Sequence, residues 1–167
     1  DTSTNDSVFL LASGAAGAAS VDDDPAARCI LAAAIEAVAR DLARQQARDG
    51  EGATALITCQ VSGAADDADA RAVARAVISS SLVKAAARAG QPAAVDPDRL
   101  RIAIAGHLAY DGARGGPTGI DKAAAREAMT AEEVLIRLDL GLGTGTGEAF
   151  GCPLTEGYVK ENSEYTT

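Results

Sequence analysis

Tryptophan is absent from this chain of 167 residues, and only three tyrosines and two phenylalanines occur. A core without large rings has to be built from Ala, Val, Leu and Ile, which pack closely, so thin helices lying tight on sheet are expected. Histidine occurs once, and the three cysteines, Cys29, Cys59 and Cys152, form no Cys-x-x-Cys pair. That is not a zinc pattern, and the odd count speaks against a disulfide framework; buried free thiols in a reducing cytoplasm are the expectation. No apolar run approaches the roughly 20 residues needed to cross a bilayer, and no basic region precedes an apolar stretch at the N-terminus as in a secretory leader. Nor is there a basic patch. With 24 acidic against 15 basic residues the net charge is −9, and the two signs are interspersed. This argues against a nucleic-acid surface and leaves the acidic exterior a solubility feature.

What remains is enough for one domain, or for two small lobes joined near AGQPAAVDPD. SVFLLAS, residues 7–13, reads as a buried strand ended by GAAG. Next comes the clearest helix: Asp24 is a natural N-cap, Pro25 suits the first helical position, and Gly50 closes the far end. Its Ile30, Leu31, Ala34, Ile35, Val38 and Leu42 recur on one face, which predicts a buried side. ALITCQV is a short strand with Ile57, Cys59 and Val61 alternating against Leu56, Thr58 and Gln60. A second helix starts at AADDADA, buries Val73, Val77, Ile78 and Val83, and is stopped by Gly90 and Pro92. Leu100, Ile102 and Ile104 lie on one face of a further strand that returns through His107 to Tyr110. Asp121 caps a short helix over KAAAREAM, and VLIRLDLGLGTGTGEAFGC suggests an antiparallel hairpin with a glycine-rich connection. At least one helical turn is expected in TEGYVKENSEYTT, before an extended tail. The succession favours an α+β fold with helices on a mostly antiparallel sheet.

Several tempting motifs fail on their chemistry. GLGTGTG carries Thr146 where a dinucleotide fingerprint needs its third glycine, and a strand follows it, so no cofactor is read there. VDDDP lacks the alternating ligands and closing glutamate of a calcium loop and is a solvated helix N-terminus. His107 has no nucleophile within reach in sequence and is read as a packed side chain. DGEGAT, residues 49–54, offers more: Glu51 sits on backbone that flanking glycines let approach a ligand, and its carboxylate could accept hydrogen bonds from an ammonium group. A plain C-cap loop is the competing reading. DTSTND and NSEYTT, the two ends, read as turn cluster and frayed tail.

Taken in order, however, these motifs resemble one family. DTSTND with the apolar segment and SGAAG, then RDGEGAT, LVKAA, DPDRL, IRLDLG and the terminal GCPLTEGYVKENSEYTT are similar to ornithine acetyltransferase. That enzyme is also called glutamate N-acetyltransferase, and in bifunctional members it is an N-acetylglutamate synthase of arginine biosynthesis. The resemblance covers residues 1 to 167. It implies a layered α/β sandwich of the DmpA/ornithine acetyltransferase type with a smaller α+β lobe. On that reading residues 1–90 belong to the main layered domain, and 91–167 form the second lobe with a tail returning to the active site. It also implies a precursor that cleaves itself into α and β chains assembled as an α₂β₂ heterotetramer, with this chain the C-terminal part of the β chain.

The implied reaction is ping-pong. N2-acetylornithine acetylates an N-terminal threonine, ornithine leaves, and glutamate takes the acetyl group; bifunctional members also accept acetyl-CoA. Tetrahedral intermediates are held by an oxyanion hole that the α chain supplies. Neither a cofactor nor a metal is implied, the partners are small amino acids and the α chain, and the compartment is the cytoplasm. Carried over residue by residue, Glu51 matches the substrate-contacting glutamate of DGEGAT. Asn162 and Thr167 match a substrate-binding asparagine and terminal threonine with their spacing kept. No catalytic residue is assigned: the family's nucleophile should precede Asp1, and Thr2 and Thr4 are not N-terminal. Two departures stand out: Ala55 where the family usually carries Lys, and the direct joining of LVKAA to ARAG, where the family usually has a segment containing Asp-Pro-Asn-Trp-Gly-Arg. They motivate an alternative, a non-catalytic remnant serving as binding or assembly module. An unrelated α+β domain is the third reading.

Overall fold

A computed structural model describes residues 7–18, 20–79 and 95–163, with the side chains of residues 162 and 163 left aside. Helix α1 spans Pro25–Arg48, strand β1 Leu56–Ala64 and helix α2 Asp67–Ile78. Strands β2 (Arg101–Ile104), β3 (His107–Asp111) and β4 (Gly116–Pro117) follow, a single 3₁₀ turn lying before β4. Helix α3 (Lys122–Ala128), strands β5 (Glu133–Asp139) and β6 (Gly145–Gly151) and helix α4 (Glu156–Ser163) complete the order. The strands form one mixed sheet in the order β4-β3-β2-β5-β1-β6. β1 pairs parallel with β5 and antiparallel with β6, while the other pairs are antiparallel. The boundary expected near residue 90 does not divide this sheet, because β1 lies between two strands from beyond it.

The helix caps follow the sequence. Asp24 accepts from the N–H groups of Ala26 and Ala27, with Pro25 at the first helical position. Asp66 does the same for α2 through Asp69 N, and Asp121 for α3 through Ala123 N. At the other end of α1 the closing residue is Asp49, not Gly50; the left-handed residue is Gly52, at φ 74°. The β2–β3 hairpin turns at Ala105 and Gly106, both at positive φ, as a two-residue hairpin requires.

The core sits between α2 and one face of the sheet. Cys59, Val61 and Ala64 of β1 meet Ala70, Val73, Ala74 and Val77 of α2, with Leu100, Leu138 and Leu140 beside them. Small residues allow the close approach. A Cβ on Gly147 of β6 would lie 2.6 Å from Arg71 N, so glycine there lets α2 rest on the strand backbone. This is the thin, tightly laid helix that an aromatic-poor composition predicts.

Four further expectations need correction. The segment 7–13 belongs to no strand; Val8, Phe9, Leu10 and Leu11 are 76–94% exposed. Both of its alternating faces are bare, and no described residue supplies a neighbouring strand. Second, the apolar row of α1 is exposed, and only Ala47 of that helix is buried. The helix turns instead a row of arginines to the sheet: Arg40 pairs with Glu148, Arg44 with Glu133 at 2.5 Å and Arg48 with Glu132 at 3.2 Å. Third, β5 and β6 are not a hairpin, since β1 is inserted between them. Their connection bends over the end of β1, where Gly63 O accepts from Leu142 N and Gly143 N. The apolar β1 thereby gains a hydrogen-bonded neighbour on each edge, which a β5–β6 hairpin would deny it. Fourth, of the thiols expected to be buried, Cys29 is exposed and Cys152 half-buried, although all three are free. Val83, Gly90 and Pro92 lie outside the described residues, as do Thr2 and Thr4.

Candidate functional site

Glu51 stands on the turn that leaves α1, exposed, between two glycines in close contact with the C-terminal segment. Gly50 faces the Cys152 Sγ, which a Cβ would meet at 3.0 Å. Gly52 abuts the first turn of α4, where a Cβ would lie 2.5 Å from Tyr158 N and 2.7 Å from Gly157 O. Its φ of 74° also demands glycine. Between the two segments stands Thr155. Its hydroxyl donates to Gly52 O at 2.6 Å and accepts from Tyr158 N at 2.9 Å, which makes it the N-cap of α4. Tyr158, 3% exposed, anchors the helix beneath the turn.

Asn162 lies in the same helix, four residues beyond Tyr158, or about 6 Å further along its axis. The fold thus brings the Glu51 turn and the Asn162 helix together, although more than a hundred residues of chain separate them. Thr167 falls outside the described residues, so two of the three residues carried over can be located. Sequence reasoning missed Thr155, Gly52, Cys152 and Tyr158 as the parts that join them. The signal for the first was present: a threonine directly before a helix-forming stretch.

Away from this site, an open groove of about 1420 Å³ runs between α1, α2 and β6. It is lined by Arg40, Gln60, Arg71, Arg75, Arg137 and Glu148 among others, and Glu51 is not part of it. The Arg40 guanidinium is held above its ordinary range by its hydrogen bond to, and the charge of, Glu148. On the other side of β1, burial pushes the Cys59 thiol up to about 12, so it is a neutral packing group and no nucleophile. His107 opens β3, half-buried, with Ile104 opposite it in the hairpin. No group of three or more His, Cys, Asp or Glu among the described residues is arranged to hold a metal ion. Among them, too, no helix is long and apolar enough to cross a membrane.

Comparison with known proteins decides the family. The sequence matches the ArgJ family over residues 1–167. The chain belongs to the ArgJ family. It is 39% identical over 180 positions to the arginine biosynthesis bifunctional protein ArgJ of Deinococcus radiodurans, which covers all of this chain and 44% of that protein. The identity is 43% with the ArgJ protein of Thermus thermophilus, and 40% with the glutamate N-acetyltransferase of Methanopyrus kandleri. The crystal structure of the ArgJ protein of Bacillus halodurans superposes with a TM-score of 0.82 at 36% identity. That match covers 99% of this chain and 83% of the other. The α+β fold is therefore an ArgJ fold, and the chain spans less than half the length of the curated relatives it matches.

Proposed function

We propose that this chain is the C-terminal part of the β chain of an ArgJ-type glutamate N-acetyltransferase. The whole enzyme moves an acetyl group from N2-acetylornithine to glutamate in arginine biosynthesis, in the cytoplasm, after a self-cleavage that frees an N-terminal threonine. That threonine takes the acetyl group as an ester, ornithine departs, and the amine of glutamate attacks the ester carbonyl. Backbone donors of the α chain stabilise each oxyanion. Glu51, Asn162 and Thr167 bind substrate: the carboxylate receives the ammonium group, the amide of Asn162 donates to a substrate carboxylate, and the Thr167 hydroxyl adds a bond.

The observation that carries this reading is the locking of the Glu51 turn onto the helix of Asn162 by Thr155 and Gly52. The contact sets the carboxylate-bearing turn beside the helix of Asn162, as a shared substrate site would need. The bare row of α1 and the apolar segment 8–11 support the assembly, as surfaces for the α chain and the rest of the β chain in an α₂β₂ heterotetramer. The test is acetyl transfer by the enzyme assembled from both chains, with Glu51→Ala beside it. We expect at least a tenfold loss of kcat/KM, about 1.4 kcal/mol of transition-state binding; unchanged kinetics would remove Glu51 from the site.

One observation favours a second reading, a module of the same fold that binds or assembles without chemistry. The D. radiodurans alignment runs over more positions than this chain has residues, so that relative carries residues with no counterpart here. Ala55, at a position where the resembled family usually carries Lys, points the same way. Sequencing the gene upstream of Asp1 separates the two: an α-chain sequence and a threonine at the cleavage point support the enzyme, and a start codon there supports the module.

A further inference from the structure

The Thr155 hydroxyl makes two bonds with different jobs. As an acceptor from Tyr158 N at 2.9 Å it caps α4, which any good N-cap residue can do. As a donor to Gly52 O at 2.6 Å it ties that helix to the turn bearing Glu51, and a helix cap has no need of this bond. One hydroxyl has a single proton to give, and here it is spent on the turn.

The surroundings are built for the same contact. Gly52 and Gly157 meet backbone to backbone, and a Cβ on Gly157 would sit 3.2 Å from Gly52 O. Gly50, on the other side of Glu51, is packed on Cys152. Glu51 is therefore held from both sides by a segment only a few residues long, and that segment continues directly into the helix of Asn162. We infer that Thr155 is a positioning residue, whose donated hydrogen bond sets the spacing between the Glu51 carboxylate and the Asn162 helix and so sets affinity for the amino-acid substrates. This rests on the site reading given above. The hydroxyl touches no reacting atom and acts through the backbone of Gly52. When it is lost, the turn drifts from the helix, and a shift of about 1 Å in a binding group can weaken binding or rate severalfold to a hundredfold.

The two bonds can be separated by substitution. Thr155→Ser keeps both, Thr155→Asp keeps the cap and loses the donor, and Thr155→Val loses both. In the enzyme assembled from both chains, KM and kcat are measured for glutamate and N2-acetylornithine, with the melting temperature alongside. Thr155→Ser is expected within about twofold of the parent, and Thr155→Asp to raise KM about tenfold or more with a smaller change in kcat. The Asp variant should melt within a few degrees of Thr155→Ser, because its helix is still capped. A folded Thr155→Asp enzyme with parental KM overturns the proposal. If that variant does not fold, Thr155→Gly takes its place, since glycine is nearly as good a cap as serine but has no hydroxyl; a folded Gly variant with parental KM is equally decisive. Glu51→Gln is assayed in parallel. Should it leave KM untouched, the site reading itself fails; should it raise KM while Thr155→Asp does not, only the positioning role fails. With both roles intact, the double variant loses clearly less than the product of the single losses, since both changes act on one contact.

Discussion

Helices α1 and α2 both carry an apolar row, and they treat it in opposite ways. α2 is half the length of α1, yet Ala70, Val73, Ala74 and Val77 are all buried on β1 and β6. Ile30, Leu31, Ile35, Val38 and Leu42 of α1 form the more apolar stripe and are 41–72% exposed. What separates them is the surface each is offered. The sheet face under α2 is Cys59, Val61, Leu138 and glycine, whereas α1 is met by Glu148, Glu133 and Glu132. A helical stripe therefore announces that something will cover it, but the covering need not come from the same stretch of polypeptide.

The contrast can be broken most forcefully at Gly147. Valine there drives a Cβ into the backbone of Arg71, and we expect urea denaturation to register a loss of about 3 kcal/mol as α2 lifts. Next, Val77→Ala under α2 should cost about 2 kcal/mol, against less than about 0.5 kcal/mol for Val38→Ala on α1. If the two substitutions cost the same in this chain, the stripe of α1 is covered after all. Thiol chemistry sharpens the picture further. A thiol reagent at pH 8 should modify Cys29 on α1 promptly, and Cys59 beneath α2 only after unfolding. The sign of the linked pH effect follows: the folded chain keeps the Cys59 proton to about 12, whereas the ordinary thiol value is 9.0. Stability therefore falls as pH rises from 9 towards 12, by at most about 1.4 kcal/mol per pH unit, and Cys59→Ala should flatten that slope. Smallest of all is Arg40→Ala, expected to cost under about 1 kcal/mol, and less in high salt as the pair of exposed Arg40 with half-buried Glu148 is screened.

Local signals proved readable where they depended on neighbours in sequence. Asp24, Asp66 and Asp121 cap the helices they precede, the ALITCQV strand forms, and the return through His107 is a hairpin. The unreadable parts are those decided by distant chain. VFLL has the composition of a buried strand, but its partners are not among the described residues, and nothing in those letters can say so. The insertion of β1 between β5 and β6 is likewise invisible, since a glycine-rich link between two strands looks the same whether they pair or straddle a third. For the candidate site the balance is similar. Glu51 was legible as a carboxylate on a glycine-flanked turn, beside the competing C-cap reading, whereas Asn162 was legible only through the ordered motifs of the family. The contact that joins their segments depends on a turn and a helix about a hundred residues apart.

The place of β1 between β5 and β6 has a consequence for how this polypeptide is made. Its hydrogen-bonding neighbours, β5 and β6, are made after every other strand among the described residues. An emerging chain can form α1 and α2 early, but the sheet on which α2 rests cannot close until most of the sequence is available. Such dependence on remote contacts slows folding and leaves Val61, Val73 and Val77 uncovered in the interval. Translation stopped before β5 should thus yield a product that retains helix yet lacks a core, to be recognised by chaperones before it resembles the finished domain.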